Sequence, residues 1–292
     1  TKAGSVLLAL ILRPVGFDFR SKVDDPRWRK VWDTCLFIGG FVPSLVFGVA
    51  FGNLMLGVPF YFDETMNPHY TGTFLQLLNP YGLLCGLISL LMLTMHGGVY
   101  LNLKTEGVVA KRARKAVYMC ASVFIVLFVI AGIWSSFYMD GYVITYFGGT
   151  EAASNPMAKT VALAQGGWFE NFRDWPLALA VPISVPVFAL ITMALIRGGQ
   201  EGKAFITSAL SVAMTVATAG VAMFPFLMPS SVNPAHSLTV WDGSSSHATL
   251  FYMLAATIIF LPVVLVYTSW VFAVLKGKVT NAYIKENSDN LY

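Results

Sequence analysis

The stretch Lys111-Arg-Ala-Arg-Lys-Ala-Val-Tyr-Met-Cys-Ala-Ser-Val-Phe-Ile-Val-Leu-Phe-Val-Ile-Ala-Gly-Ile-Trp134 decides how the rest of the chain is read. Four basic residues within Lys111–Lys115 are followed by a run without charge that ends on a tryptophan. An apolar run of about 18 residues or more is long enough to cross roughly 30 Å of hydrocarbon as a helix. The run is continuously apolar, whereas a membrane barrel strand alternates apolar and polar over about ten residues. The fold class it implies is all-α, a polytopic transmembrane helix bundle.

Working outward, comparable runs occupy about 31–56, 81–103, 116–137, 176–196, 204–228 and 247–274, which makes six complete spans. A shorter run, Ser5–Leu12, cannot cross a bilayer and reads as the end of a preceding helix whose start is missing. A signal peptide would have a small-residue cleavage site after such a run; Arg13-Pro14 stands there instead. The expected organisation is a single integral membrane domain, 1–292, with an external loop 138–175 and a cytoplasmic tail 276–292.

Composition agrees: 56% of residues are hydrophobic and 12% charged, where a soluble domain is nearer a quarter charged. The net charge of +4 does not point to nucleic acid, because the basic residues sit in short loops between spans. Sixteen lysines and arginines fall in 13–30, 104–115, 197–203 and 276–285, against two, Lys159 and Arg173, in 57–80, 138–175 and 229–246. By the positive-inside rule the first set is cytoplasmic, and the C-terminus with it. Trp28 and Trp32 then mark the inner headgroup level; Trp134, Tyr138, Trp168, Trp175 and Trp241 mark the outer.

In the long external loop, Asn155-Pro156 can start a helix with proline at its first position, laying Val161, Trp168, Phe169 and Phe172 on the membrane surface. The alternative is a loop packed on the bundle. Gly48-Val-Ala-Phe51 and Gly220-Val-Ala-Met223 echo each other at the ends of two outward-going spans, a weak sign of internal duplication.

No dinucleotide fingerprint, phosphate loop, zinc-protease motif or nucleophile elbow is present. Cys35, Cys85 and Cys120 each lie in an apolar run without paired spacing and read as small buried hydrophobes. An ionisable group inside a span costs at least about 2.5 kcal/mol at the helix centre, so each needs a reason. Asp33 reads as a helix N-cap, or as a proton-path or subunit-contact carboxylate with Arg13 and the 27–30 cluster as cationic partners. His96 reads as an interhelical hydrogen bond beside Gly97-Gly98, with no second histidine at its depth to make a haem site. His247 belongs to a capping turn; His69 and His236 are loop groups. Pro43, Pro182, Pro186, Pro225 and Pro262 inside spans raise the alternative of a secondary transporter or permease with broken helices. A coupled transporter would also carry mid-span acidic residues, and none lies deeper than Asp33.

Several stretches together resemble subunit II of the cytochrome bd quinol oxidases: Arg13-Pro-Val-Gly-Phe-Asp-Phe-Arg-Ser-Lys22 with Trp32-Asp33, Gly48-Val-Ala-Phe-Gly-Asn-Leu54, Gly57-Val-Pro-Phe60, Ala222-Met-Phe-Pro-Phe-Leu-Met-Pro-Ser-Ser231 and Ser237-Leu-Thr-Val-Trp-Asp242. The resemblance runs along essentially the whole chain. It implies a nine-helix subunit of two four-helix bundles plus one helix, in a bacterial cytoplasmic membrane. The complex would oxidise quinol, reduce dioxygen to water and build a proton-motive force. Haem b and haem d are expected on subunit I, the partner, with small single-helix accessory subunits and a bound quinone that this subunit can hold. Relative to the family, two N-terminal helices and most of a third are absent, along with the acidic residues tied to proton delivery. Asp33 and Arg13 match family positions and are the site residues the resemblance carries over.

Overall fold

A computed structural model describes residues 2–73, 75–148, 155–274 and 277–280. Eight helices run in the order α1 (Lys2–Arg20), α2 (Pro26–Leu56), α3 (Pro80–Lys104), α4 (Gly107–Phe137), α5 (Glu170–Asp174), α6 (Ala180–Arg197), α7 (Glu201–Met223) and α8 (His247–Val274). Six helical stretches, α2, α3, α4, Pro176–Arg197, α7 and α8, are long and apolar enough to cross a membrane.

The first helix is longer than its apolar run. It continues through Pro14 to Arg20, so much of the basic segment expected as a loop is helical. A proline removes one backbone donor, a loss that membrane helices absorb. After a short turn, Asp25 caps α2 by accepting from the Arg27 N–H at 2.8 Å, with Pro26 at the first helical position. The cap is therefore Asp25 and not Asp33, which lies two turns inside the helix. At the other end Asn79 caps α3 through the Gly82 N–H at 2.6 Å, again ahead of a proline.

The α2–α3 pair crosses through glycine. Gly48 and Gly52 on α2 face Gly82 and Gly86 on α3, each pair four residues apart and so on one helix face. A Cβ on Gly52 would lie 2.8 Å from the Gly82 Cα, and one on Gly48 would overlap the Cys85 carbonyl. Small residues let membrane helices approach closely, where dispersion and interhelical hydrogen bonds take over from the hydrophobic effect. Asn53 supplies such bonds: its Nδ2 donates to Leu77 O at 2.8 Å and its Oδ1 accepts from Asn79 at 2.8 Å. A Cβ at Gly220 would meet open space, so the Gly48/Gly220 echo does not mark equivalent packing.

The segment after α4 is not a surface helix. β3 (Asp140–Tyr146) pairs antiparallel with β4 (Thr160–Gln165), and Asn155 turns the chain by accepting from the Met157 N–H at 2.9 Å. The hairpin and the residues after it cap three helices whose C-termini meet here. Trp168 Nε1 donates to Met55 O of α2 at 3.1 Å, Gln165 Nε2 to Phe137 O of α4 at 2.5 Å, and Asn171 Nδ2 to Val221 O of α7 at 2.9 Å. The last carbonyls of a helix lack intrahelical donors, which is why these side chains turn inward. Trp168 and Phe172 are accordingly buried, not spread on the membrane.

Helix α7 stops at Met223, five residues before its apolar run ends. Pro225 lacks the donor the helix needs and pushes Phe224 to an extended ψ of 134°. Phe226–Met228 then forms β5, paired with β6 (Leu238–Thr239). A further small hairpin, β1 (Phe60–Phe62) with β2 (Pro68–Tyr70), completes this capped end. Helix α8 buries none of its residues among the described ones.

Candidate functional site

At the basic end, α1 and α2 form an antiparallel hairpin. Its termini are joined by Arg20, whose Nε lies 2.6 Å from Asp33 Oδ1 and whose second nitrogen lies 3.4 Å from Oδ2. The partner of Asp33 is therefore Arg20. Arg13 sits about 10 Å further along α1 at 1.5 Å per residue, with its aliphatic stem crossing α2 at Gly39. Phe19 and Trp28 pack on Trp32, and Trp28 Nε1 donates to Phe19 O at 2.7 Å, closing the end of α1. Trp32 Nε1 is the one buried side-chain polar atom without a partner among the described residues.

Deeper in, His96 Nδ1 lies 2.8 Å from Ser208 Oγ on α7, and its ring stacks on Phe205 at 5.0 Å. This is an interhelical bond of the expected kind. Two clusters escaped the sequence reading. Glu201, at the start of α7, holds Lys278 at 2.6 Å and Asn102 Nδ2 at 3.3 Å, with Arg114 at 4.0 Å. Lys159 and Asp242 form a buried ion pair at 2.7 Å, with side chains 1% and 4% exposed. Neither pair follows helix or strand spacing, so only the tertiary fold brings them together.

Between the glycine crossing and the cap lies a cavity of about 410 Å³. Phe51, Met92 and Phe128 line it along the helices, and Tyr81, Trp168 and Phe172 toward the cap. Several of its hydroxyls are turned onto backbone carbonyls of their own helices: Ser135 and Ser136 onto Gly132 O, Thr215 onto Ser211 O and Thr218 onto Met214 O. The interior is thus nearly all apolar. It suits a hydrocarbon-rich ligand and not a charged one.

In the cap, His236 Nδ1 accepts from the Phe62 N–H at 3.0 Å, tying β1 to the turn before β6. That bond needs an unprotonated Nδ1. Burial, then the Lys159 charge, holds the imidazole below its ordinary pKa. The neutral form is favoured in the fold, so this contribution is complete above the unfolded value of about 6.5 and is lost as pH falls below it. The protection of the Phe62 amide, its hydrogen exchange corrected for the intrinsic pH dependence of amide exchange, is expected to fall between pH 7 and 5, and protection that does not respond to pH would contradict the assignment. The neighbouring Asp63 is held well below the usual carboxylate range by His69 at 3.0 Å and by Thr65 and Asn67, so it stays ionised throughout that window.

These features define a multi-pass α-helical membrane protein with a small β cap and an apolar cavity. A sequence profile described as cytochrome bd terminal oxidase subunit II matches residues 4–275. The chain is 44% identical to cytochrome bd-I ubiquinol oxidase subunit 2 of Escherichia coli (strain K12) over 287 residues, covering 98% of this chain and 76% of that protein. It is 47% identical, with the same coverage, to a probable cytochrome oxidase subunit 2 of Haemophilus influenzae. The solved bd oxidase from Geobacillus thermodenitrificans shares the fold, with a TM-score of 0.64 at 14% identity over 93% of this chain and 72% of that one. The chain belongs to the cytochrome bd terminal oxidase subunit II family, and so to a haem-containing oxidoreductase complex of the inner membrane.

Proposed function

We propose that this chain is the subunit of a quinol:oxygen oxidoreductase that ligates no haem, and that it serves as scaffold to the haem-bearing subunit I. Haem b and haem d would then reside on the partner, which carries out quinol oxidation and dioxygen reduction. The donor set supports this. His96 is the one histidine in the interior of a span, with Ser208 on its Nδ1 and Phe205 against one ring face, and no second histidine stands at its depth. No cluster of three metal-binding side chains occurs among the described residues. No redox step is assigned to these residues.

The observation that carries the rest is the apolar cavity. In this reading it holds the hydrocarbon tail of a quinone as a resident structural group, with the Tyr81 hydroxyl near the ring end. The exposed corner of Arg13 and the Arg20–Asp33 pair would meet subunit I. The basic end would face the cytoplasm, as the charge distribution asks.

Gly132 lines the cavity on α4, and a Cβ there meets nothing within 4 Å. In the complete purified oxidase, Gly132→Phe should fill the cavity, leave haem per complex unchanged, and remove about one tightly bound quinone. Unchanged quinone content would sink the cavity reading. Loss of haem from a complex that still contains both subunits would sink the assignment of haem to the partner alone.

A further inference from the structure

The basic end meets its positive charge in two different ways. Around the α1–α2 turn, Arg13, Arg20, Lys22, Arg27, Arg29 and Lys30 are interleaved with Asp18, Asp24, Asp25 and Asp33. Arg20 pairs with Asp33 and Arg29 with Asp24. Around the start of α4, Lys111, Arg112, Arg114, Lys115, Arg197, Lys203 and Lys278 stand, among the described residues of 104–115, 197–203 and 277–280, with two acidic residues, Glu106 and Glu201. Glu201 is already engaged by Lys278 and Asn102. Glu106 precedes α4 without a side-chain cap bond, and the first turn holds no acidic residue.

The excess is concentrated in space. Arg114 reaches toward Glu201, which sets the first turn of α7, with Lys203, beside the second turn of α4. Lys111, Arg112, Lys115 and Lys203 are all exposed. Its depth is also defined. At 1.5 Å per residue the 31 residues of α4 extend about 46 Å, some 16 Å more than the hydrocarbon core. The uncharged run begins at Ala116, so Lys111–Lys115 stand where that core ends and lipid phosphates begin.

We infer that this corner is a binding site for anionic phospholipid headgroups of the adjacent leaflet, with Lys111, Arg112 and Lys115 contacting phosphate. Unpaired positive charge packed this closely repels itself, and the nearest abundant compensating charge at that depth is lipid phosphate. Each lysine or arginine near an anionic surface contributes about 1 kcal/mol, roughly fivefold in affinity. The α1–α2 corner, where four aspartates offset most of six basic residues, should lack this preference.

The test uses the complete oxidase in mixed micelles with spin-labelled phosphatidylglycerol or phosphatidylcholine, scoring the fraction of label immobilised on protein. Wild type should prefer phosphatidylglycerol. K111Q/R112Q/K115Q should lower that preference at least about fivefold, while K22Q/R27Q/K30Q leaves it unchanged; K111Q alone provides a milder variant for the same comparison. Equal preference in all proteins, or equal loss at both corners, would overturn the site. Displacement of the lipid by inorganic phosphate, at ionic strength matched with chloride, would overturn it in favour of a free-phosphate site.

Discussion

Gly48→Val is expected to remove most of the assembled subunit from the membrane. A Cβ at this position would overlap the Cys85 carbonyl, a backbone atom that cannot rotate aside. The neighbouring contacts offer no slack either: a Cβ on Gly52 would lie 2.8 Å from the Gly82 Cα, and one on Gly86 would lie 2.8 Å from Val49. The two helices would have to separate, stretching the Asn53 bonds to Leu77 and Asn79 that tie them. Overpacking of this kind costs about 3 kcal/mol or more where backbone must move. Gly40→Ala is the matched control on the same helix, since a Cβ there meets nothing within 4 Å and alanine favours the helix by up to about 1 kcal/mol. Subunit recovered per cell and thermal inactivation of the complex should fall sharply for the first and hold for the second. Normal recovery of Gly48→Val would show that the α2–α3 crossing is not as close as described.

The spans were legible because a bilayer imposes one requirement, a long apolar run, that local sequence alone can meet or fail. Where two structures satisfy that requirement equally, sequence did not separate them. Phe224–Met228 is apolar enough to continue α7, yet Pro225 ends the helix and the rest becomes β5. In the 138–175 loop, Asn155-Pro156 carried a helix-start signal. The fold instead made Thr160–Gln165 a strand, because β3 offered it a partner. Asp33 has a residue type suited to capping, but Asp25 stands directly before the proline that opens α2. Its true partner, Arg20, could be named only once α1 was known to continue past Pro14. Glu201 was not singled out in the sequence, because its three neighbours come from two other helices and from the segment after α8.

Lys159→Met is expected to loosen the whole capped end, and the reason bears on the charge count as well as on stability. Lys159 is one of two basic residues on the side otherwise free of them. It is buried against Asp242 and also donates to Pro156 O at 2.7 Å, so its charge is cancelled locally. Removing the lysine leaves Asp242 buried without its cation, with the Thr239 N–H and hydroxyl donating to it at 3.2 and 2.5 Å. Breaking one side of a buried pair costs about 3–5 kcal/mol, whereas replacing both sides with apolar groups is often close to neutral. Lys159→Met and Asp242→Leu should therefore each destabilise strongly, and the double variant should be less damaged than either sum predicts, by about 2 kcal/mol or more. The double will not be silent, because the Thr239 donors lose their acceptor, at about 1–3 kcal/mol. Hydrogen exchange over 155–165 and 234–242 in the purified complex reads the effect locally, and thermal inactivation reads it globally. Strictly additive effects would mean that the two side chains stabilise the cap independently, and the ion pair would then lose its role as the clasp between the β3–β4 hairpin and the loop that leads into α8.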